Sequence, residues 1–530
     1  MLSLRAVAAA LILGIAWPTF ASRARAQASA DLPLDDNAYY YIDALLARGA
    51  LRSLSALERP YKVHEVAALL DRDSVARSTP MMRSFARALR TSMRKYDPRV
   101  SRPDTARAVM RYQIGGDVYA TGQTSGIREL MLGDGKQGLD GAFDARGVAE
   151  GGPLAIVFRG GIDRRLMDDP QYWNPNPFLR ESDDFRVTDG YVDARFPFAE
   201  LFIGREARNW GPEAMDGLLL GHYAYTYDHF YALLGVRNLH YQILATRLNN
   251  EFVQPDTVAQ RYFTIHRLAA RVGPVEFAGE EAVVYGGPGR GFEVSYLNPV
   301  NLFTFSQLNE GIDGTKKLSA QVAVRTRSAG TYAAEVYLND IQTGGCNPAI
   351  LCKKPPSGGW TLTAEGIPFI GEQRLFASYT LVSFLDYRTD TPWEQYDYNY
   401  IGLGRGFSDY DEWRFGVDLA VVPGVPLKVY GAYRRQGQGD YLTPVPPADS
   451  FPLLPAFLFG TVEHVYRAGV TGAASFKWLD VSGDIGINHV TNYNHIAGVT
   501  HDDLAARIQV MLVWARIFGG ALKAGHDDGP

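Results

Sequence analysis

The sequence predicts an all-β fold, a transmembrane antiparallel β-barrel of about 18 strands that follows a small N-terminal α-helical bundle. Composition is the first of three supporting observations: the 530 residues include 54 glycines, more than the usual share, and 12% are aromatic. The second is a change in hydrophobic period, from about 3.6 residues to 2, after Arg99. The third is length, because the alternating segments run about ten residues, longer than typical strands of soluble proteins.

Residues 1–26 are predicted to be a signal peptide. Arg5 provides a positive start, residues 6–17 are apolar, and Ala24-Arg25-Ala26 resembles a cleavage site of the A-x-A type. The apolar run is too short for a membrane-spanning helix, which needs about 20 residues. The sequence therefore predicts export from the cytoplasm and places the barrel in the bacterial outer membrane, in contact with its lipid.

Residues 27–108 are predicted to form a periplasmic helical bundle and a linker. Apolar residues recur at helical spacing in three short segments, of which the first ends at Gly49 and the others open at Pro60 and Pro80. Two roles remain open for this bundle. It is either a plug that braces the barrel or a docking module for a periplasmic or cell-wall partner.

Residues 109–518 are predicted to form the barrel, and residues 519–530 a polar C-terminal tail. In residues 411–421, for example, Trp413 and its apolar neighbours alternate with Arg414 and other polar residues. One face of each strand thus suits lipid and the other a wet interior. The predicted strands begin near positions 109, 154, 188, 199, 228, 239, 261, 274, 316, 329, 357, 373, 395, 411, 426, 463, 477 and 503.

Several functional classes find no support in the sequence. A net charge of −5 argues against a nucleic-acid partner. The histidines lack a metalloprotease or nucleophile-elbow setting, and no phosphate-binding or dinucleotide motif is present. We therefore expect a protein that is not an enzyme and has no cofactor or metal site, with an outer-membrane hydrolase as a minor alternative.

The only cysteines, Cys346 and Cys352, lie in a turn-rich segment. In an oxidising compartment such a pair is predicted to form a loop-closing disulfide. Metal binding is the minor alternative, because no histidine is nearby in the sequence.

Three motifs between positions 200 and 300 carry a resemblance to a known family. They are the turn GREARNWGP (204–212), the stretch EAVVYGG (281–287) and the loop YLNP (296–299). Together they resemble the capsule-assembly (Wzi-like) family of outer-membrane proteins. The resemblance implies an 18-stranded barrel with a periplasmic helical bundle, which binds capsular polysaccharide as a surface lectin and helps retain the capsule on the cell.

The same region supplies the candidate binding residues. Their rings and charges could contact the apolar faces and hydroxyls of sugars, and they could equally form a charge network that stiffens the lumen. These candidates are Arg205, Arg208, Trp210, Glu280, Glu281 and Arg290. Aromatic-rich loops offer a second set, which could instead belong to the membrane-interface belt: Tyr225, Tyr227, Trp393 and Tyr396.

The main alternative is a transport protein. A porin or a substrate-specific channel would show the same strand pattern as a polysaccharide-binding barrel. The sequence does not establish whether the lumen is open or plugged, so the binding function depends on the family resemblance.

Overall fold

The computed structural model describes residues 28–71, 78–101, 108–124, 137–163, 185–254, 257–303, 305, 309, 313–326, 328–339 and 354–523. The predicted signal peptide and the predicted Cys346–Cys352 disulfide lie outside the described residues and stay predictions. Within the described part of the chain, no helix is long and apolar enough to cross a membrane.

Three helices precede the barrel, as predicted: α1 (Ala38–Ala47), α2 (Val63–Asp71) and α3 (Pro80–Met93). The chain leaves α1 through Gly49, whose φ of 79° is the left-handed conformation that favours glycine at a helix end. The second helix begins at Val63 and not at Pro60, because Lys62 forms a β-bridge with Asp31 immediately before the helix.

The rest of the described chain forms long antiparallel strands. The first nine are β1 (Ala108–Gln123), β2 (Gly138–Gly151), β3 (Leu154–Asp163), β4 (Phe185–Arg195), β5 (Ala199–Glu206), β6 (Tyr227–Val236), β7 (Leu239–Arg247, continued by Glu251–Gln254), β8 (Thr257–Val272) and β9 (Val275–Pro288). The two segments of β7 pair with the same neighbour, β8, and so occupy one position in the sheet.

Nine more strands complete the sheet: β10 (Thr315–Arg325), β11 (Thr331–Asn339), β12 (Gly358–Pro368), β13 (Arg374–Val382), β14 (Tyr410–Val422), β15 (Val425–Gln436), β16 (Glu463–Ser475), β17 (Leu479–Thr491) and β18 (Thr500–Lys523). Each strand pairs with the next, and β18 pairs with β1 from Lys523 opposite Ala108 to Arg507 opposite Gln123. The sheet is therefore a closed antiparallel barrel of 18 strands, as predicted.

The strands alternate between an apolar outer face and a polar inner face. In β14, Trp413 and Phe415 are 52% and 59% exposed, whereas Glu412 and Asp418 are each 3% exposed. Large apolar side chains at alternate positions cover the outside of the barrel, which is the surface that meets lipid in such proteins. The predicted assignment of the two faces is confirmed for this strand.

Two of the predicted strands differ from the observed ones, although the count agrees. The sequence prediction missed β2, in which glycines and alanines interrupt the apolar alternation around Phe143. It also placed a strand near position 395, where the chain forms only a two-residue hairpin, Asp397–Tyr398 with Ile401–Gly402. That segment lies inside the barrel, and its alternating aromatic residues pack in the lumen instead of facing lipid.

The predicted boundaries of the barrel also need correction. The first strand starts at Ala108 rather than at 109, and the last continues past Phe518 to Lys523. Residues 519–523 are thus strand and not tail, because Gly519 and Gly520 continue the ladder opposite Gln113 and Tyr112.

The helical bundle plugs one end of the barrel. We call this the short-turn end, because neighbouring strands are joined there by tight turns such as Gly152–Pro153 and Gly273–Pro274. In outer-membrane barrels the short turns face the periplasm. This agrees with the first of the two predicted roles, in which the bundle is a plug that braces the barrel. The second role, docking of a periplasmic or cell-wall partner, stays a prediction.

Buried ion pairs hold the bundle to the lumen wall. The Lys62 ammonium lies 2.9 Å from Asp31, 2.8 Å from Asp193 on β4 and 3.0 Å from Glu200 on β5. Burial alone would lower the pKa of Lys62, but the carboxylates outweigh it and hold this pKa well above its ordinary value. Lys62 itself therefore stays charged and joins the bundle to the wall.

A second cluster lies at the other side of the bundle. The Lys95 ammonium contacts Asp36 at 2.7 Å and Asp480 on β17 at 2.9 Å. Arg48 at the end of α1 adds a third connection, to Asp418 on β14 at 2.8 Å. Contacts with strands on several sides of the barrel keep the bundle fixed in the lumen.

Two long loops fold from the opposite end into the lumen. The first inward loop (207–226) connects β5 to β6 and reaches the bundle, where Asn209 and Arg59 exchange backbone hydrogen bonds of 2.9 and 3.0 Å. The second inward loop (383–409) connects β13 to β14 and contacts the first, since Tyr387 donates a hydrogen bond to the Leu218 carbonyl at 2.7 Å. Together the two loops fill one side of the barrel interior.

Candidate ligand-binding cavity

A cavity of about 590 Å³ occupies the side of the lumen that the inward loops leave free. Lumen-facing residues of β1–β4 and β12–β18 form its wall, residues around α1 close it from the short-turn end, and the first inward loop lines the remaining side. The volume lies within the range of ordinary small-molecule sites, roughly 300–1,000 Å³.

The wall of the cavity combines aromatic rings with charged groups. The rings present planar apolar faces and the charged groups form strong hydrogen bonds, so the site suits a polar ligand that also has apolar faces. The aromatic residues that line it include Tyr40, Tyr119, Tyr223, Tyr225, Phe376 and Tyr430.

Many of the charges in the wall neutralise one another. Arg159 on β3 contacts Asp189 on β4 at 2.5 Å and Asp35 before α1 at 2.9 Å. At the floor, burial alone would raise the pKa of Asp36, but the neighbouring Lys95 outweighs it and holds this pKa below its ordinary value. These charged groups already have partners within the wall. They therefore fix the shape of the cavity and have little hydrogen-bonding capacity left for a ligand.

Arg414 on β14 is different. Its guanidinium lies 4.8 Å from the centre of the Tyr430 ring, and it has no carboxylate partner within ion-pair distance among the described residues. Its buried Nε likewise has no hydrogen-bond acceptor in the described part of the chain. Buried polar groups are normally satisfied, so an arginine in this state beside an aromatic ring is suited to contact a ligand.

The first inward loop carries a titratable pair beside the cavity. Nδ1 of His222 lies 2.5 Å from a carboxylate oxygen of Asp216. Burial alone would raise the pKa of Asp216, but the charge and hydrogen bonds of His222 outweigh it and lower this pKa to about 2. Partial burial would lower the pKa of His222, whose side chain is 47% exposed, but Asp216 raises it above its ordinary value. The pair therefore stays ionised to a higher pH than an isolated histidine would.

The charge state of this pair predicts a pH dependence of the loop. Because the folded-state pKa of His222 is raised, its stabilising contribution is present at low pH and is lost as the pH rises through that value. We expect protease cleavage within residues 207–226 to become faster as the pH rises above about 6.5, the ordinary pKa of histidine. The cleavage rate of His222→Asn, corrected for the pH dependence of the protease itself, should be high over the whole pH range. A parallel pH profile for both proteins would contradict this prediction.

Three of the predicted binding residues have partners elsewhere in the protein, Arg208 and Trp210 on the inner side of the barrel and Arg205 on the outer face of β5. Arg208 stacks on Tyr231 at 3.9 Å and pairs with Glu206, and Trp210 is fully buried where the first inward loop meets the wall. Arg205 pairs with Asp228 at 2.9 Å on neighbouring strands. None of these three side chains is among the residues that line the cavity.

The predicted residues on β9 and in the segment after it also have partners within the protein. Glu280 accepts a hydrogen bond from Arg267 at 2.9 Å, and Glu281 accepts one from the Phe303 backbone at 2.8 Å. Arg290 contacts its neighbour Glu293 at 3.4 Å. Glu280 thus belongs to the charge network in the lumen, whereas Glu281 shares the face of the outward-pointing Phe277 and contacts the segment after β9, in which Arg290 also lies.

Of the four predicted loop aromatics, Tyr225 lies on the cavity, where the Arg186 guanidinium stacks over its ring at 3.9 Å. Tyr227 and Tyr396 are buried, and the Tyr396 hydroxyl donates a hydrogen bond to the Leu219 carbonyl at 2.7 Å. Trp393 lies in the second inward loop, where its carbonyl accepts a hydrogen bond from Arg261. Three of the four therefore contribute to packing of the loops.

Comparison with known proteins finds no matching family model and no curated sequence that matches. Solved structures do match: Wzi, an outer-membrane protein of Escherichia coli involved in group 1 capsule assembly and described as a carbohydrate-binding β-barrel, has a TM-score of 0.59 at 12% identity over 91% of this chain and 99% of its own. The fold is similar to that of Wzi. This confirms, at the level of the fold, the resemblance seen in the sequence.

Two further solved structures show weaker similarity. OccAB2 of Acinetobacter baumannii has a TM-score of 0.43 at 10% identity, covering 76% of this chain and 98% of its own. The outer-membrane protein OpdK of Pseudomonas aeruginosa has a TM-score of 0.41 at 13% identity, covering 76% and 98%. The protein is thus an outer-membrane-type β-barrel whose overall architecture is shared with Wzi.

Proposed function

We propose that the protein binds a capsular or other surface polysaccharide non-covalently and helps retain it at the cell surface. The observation that carries this proposal is the ring-lined cavity, in which Arg414 lies over Tyr430 without a carboxylate partner among the described residues. The similarity in fold to a carbohydrate-binding barrel supports the same function. Binding of this kind involves no chemical step and no cofactor.

The chemistry of the wall matches that of a sugar. The C–H faces of a pyranose ring stack on aromatic side chains, while its hydroxyls accept and donate hydrogen bonds at their edges. Tyr430 and Phe376 supply rings on one wall, and Tyr225 supplies a ring on the first inward loop. Arg414 on β14 and Asp144 on β2 supply a donor and an acceptor at different places on the wall.

The proposal predicts that Arg414→Gln weakens polysaccharide binding by about 10- to 100-fold, the value of a hydrogen bond to a charged group. The affinity of oligosaccharides prepared from the surface polysaccharide of the source bacterium is measured by calorimetry on the full chain in detergent. Arg205→Gln is the matched control, because Arg205 is also a strand arginine but lies outside the cavity. Its affinity should stay within about twofold of the unmodified protein.

Three results separate the possibilities. Loss of affinity in Arg414→Gln alone supports the cavity as the site, whereas equal loss in both variants moves the site to the candidates predicted from sequence. No binding by the unmodified protein would contradict the function itself. In cells, deletion of the gene should release polysaccharide into the medium, and unchanged retention would argue against the retention role.

A further inference from the structure

Three potential metal ligands from separate parts of the chain meet where the bundle contacts the barrel. They are His64 in the first turn of α2, Asp97 shortly after α3, and Glu150 at the end of β2. Nε2 of His64 lies 2.9 Å from Oε2 of Glu150 and 3.9 Å from Oδ1 of Asp97. All three ligand atoms lie within 4.8 Å of one another.

The charges of this cluster are not balanced by its surroundings. Glu150 is only 6% exposed, and its nearest ion-pairing group among the described residues is His64. Oε1 of Glu150 accepts a hydrogen bond from the Ala30 backbone at 3.0 Å, whereas Oε2 faces Nε2 of His64 at 2.9 Å in an orientation that does not form a hydrogen bond. A buried carboxylate in this state is costly unless a cation compensates for its charge.

The contacts of the other two residues, Asp97 and His64, also favour a bound cation. Asp97 is held by Arg99, whose backbone N–H and Nε donate to Oδ1 at 2.9 and 3.2 Å. Both ring nitrogens of His64 are buried: Nδ1 has no hydrogen-bond partner within the described ranges, and Nε2 contacts the carboxylates of Glu150 and Asp97 without a well-oriented hydrogen bond. Two carboxylates therefore face one arginine and one imidazole, and Nε2 of His64 and Oε2 of Glu150 lie 2.9 Å apart without a hydrogen bond between them.

We propose that His64, Asp97 and Glu150 bind a divalent transition-metal cation, Zn²⁺, that fastens the bundle to the end of β2. One imidazole nitrogen and two carboxylate oxygens are accepted Zn²⁺ ligands, and three protein ligands leave a fourth position for water. The contacts from Ala30 and Arg99 orient the two carboxylates, as outer contacts do in metal sites. This site departs from the sequence prediction, which expected none.

The test measures metal on the full chain, purified in detergent without a polyhistidine tag. The protein is stripped with a chelator, dialysed against Zn²⁺ and then against metal-free buffer, and its zinc content is read by mass spectrometry. We expect about one Zn²⁺ ion per chain. His64→Ala and the nearly isosteric Glu150→Gln should each lower this content by about tenfold or more.

A matched control is available in His489, which also lies beside a carboxylate, Asp502, at 2.6 Å but is exposed. His489→Ala should keep the zinc content of the unmodified protein. Zinc retention that is equal in the unmodified protein and in His64→Ala would overturn the proposal, and so would full retention by Glu150→Gln. Either result would show that His64 and Glu150 form an ion pair only.

Discussion

Lys62→Met should destabilise the protein by about 3–5 kcal/mol, because it leaves three carboxylates buried against one another without their cation. Lys62 contacts Asp31, Asp193 and Glu200 within 3.0 Å, and the side chains of all four residues are at least nine-tenths buried. The change is measured as a shift in the urea midpoint of the refolded barrel in detergent. Protease cleavage of the bundle should become faster in parallel.

The control for this prediction is an ion pair on the exposed side of the same bundle. Arg90 contacts Asp71 at 2.7 Å with both side chains well exposed, so Arg90→Met should cost no more than about 1 kcal/mol. Neutralising Asp31, Asp193 and Glu200 together with Lys62→Met should restore part of the lost stability. A loss for Lys62→Met no larger than that for Arg90→Met would contradict the proposed role of the cluster.

The second large effect concerns ion flow. The full chain should show no steady open conductance in planar bilayers, because the bundle closes the short-turn end and the two inward loops occupy one side of the lumen. Arg267 connects the bundle to the barrel wall, because it contacts Glu280 on β9 at 2.9 Å and Glu58 in the bundle segment at 3.2 Å. A porin of the same strand number would conduct continuously.

A variant without residues 28–101 provides the comparison for the conductance measurement. Removal of the bundle should produce discrete open steps, provided that resistance to dissociation in cold detergent shows a folded barrel. Steady conductance by the full chain, equal to that of the shortened variant, would contradict a plugged lumen and favour the channel alternative.

The period-2 pattern predicted most of the barrel, because alternation depends only on which face of a strand meets lipid. The pattern failed where the two faces of a segment do not differ clearly, or where the apolar face does not meet lipid. In β2, Gly141, Ala145 and Gly147 supply little apolar contrast, so the strand has no clear signal. Near position 395, aromatic residues alternate with polar ones in a segment that packs inside the lumen, and the pattern alone does not distinguish lipid from protein surroundings.

The cavity could not be predicted in the same way. The alternation already assigned Arg414 to the inner face, but Arg414 and Asp144 are far apart in sequence and share a cavity only because β18 closes on β1. The predicted candidates were chosen for their motifs in residues 204–290. In the structure those residues make their contacts elsewhere, as Glu280 does with Arg267, and Tyr225 alone among the predicted candidates lines the cavity.

The ion-pair clusters show a further limit of sequence reasoning. Lys62 and Lys95 gave no signal, because isolated lysines in a helical region are usually exposed to solvent. Their carboxylate partners Asp193 and Asp480 lie on distant strands and come close only when the bundle enters the barrel. The sequence therefore predicted the plug as one of two roles of the bundle, but only the structure reveals the ion pairs that connect it to the barrel wall.

The most direct test of carbohydrate binding in the lumen is an experimental structure of the full chain with a bound oligosaccharide from the surface polysaccharide. We predict density for sugar rings inside the barrel, against Tyr430 and within hydrogen-bond distance of Arg414. Density on the outer surface of the loops, with the cavity free of sugar, would contradict the assignment of the cavity as the binding site.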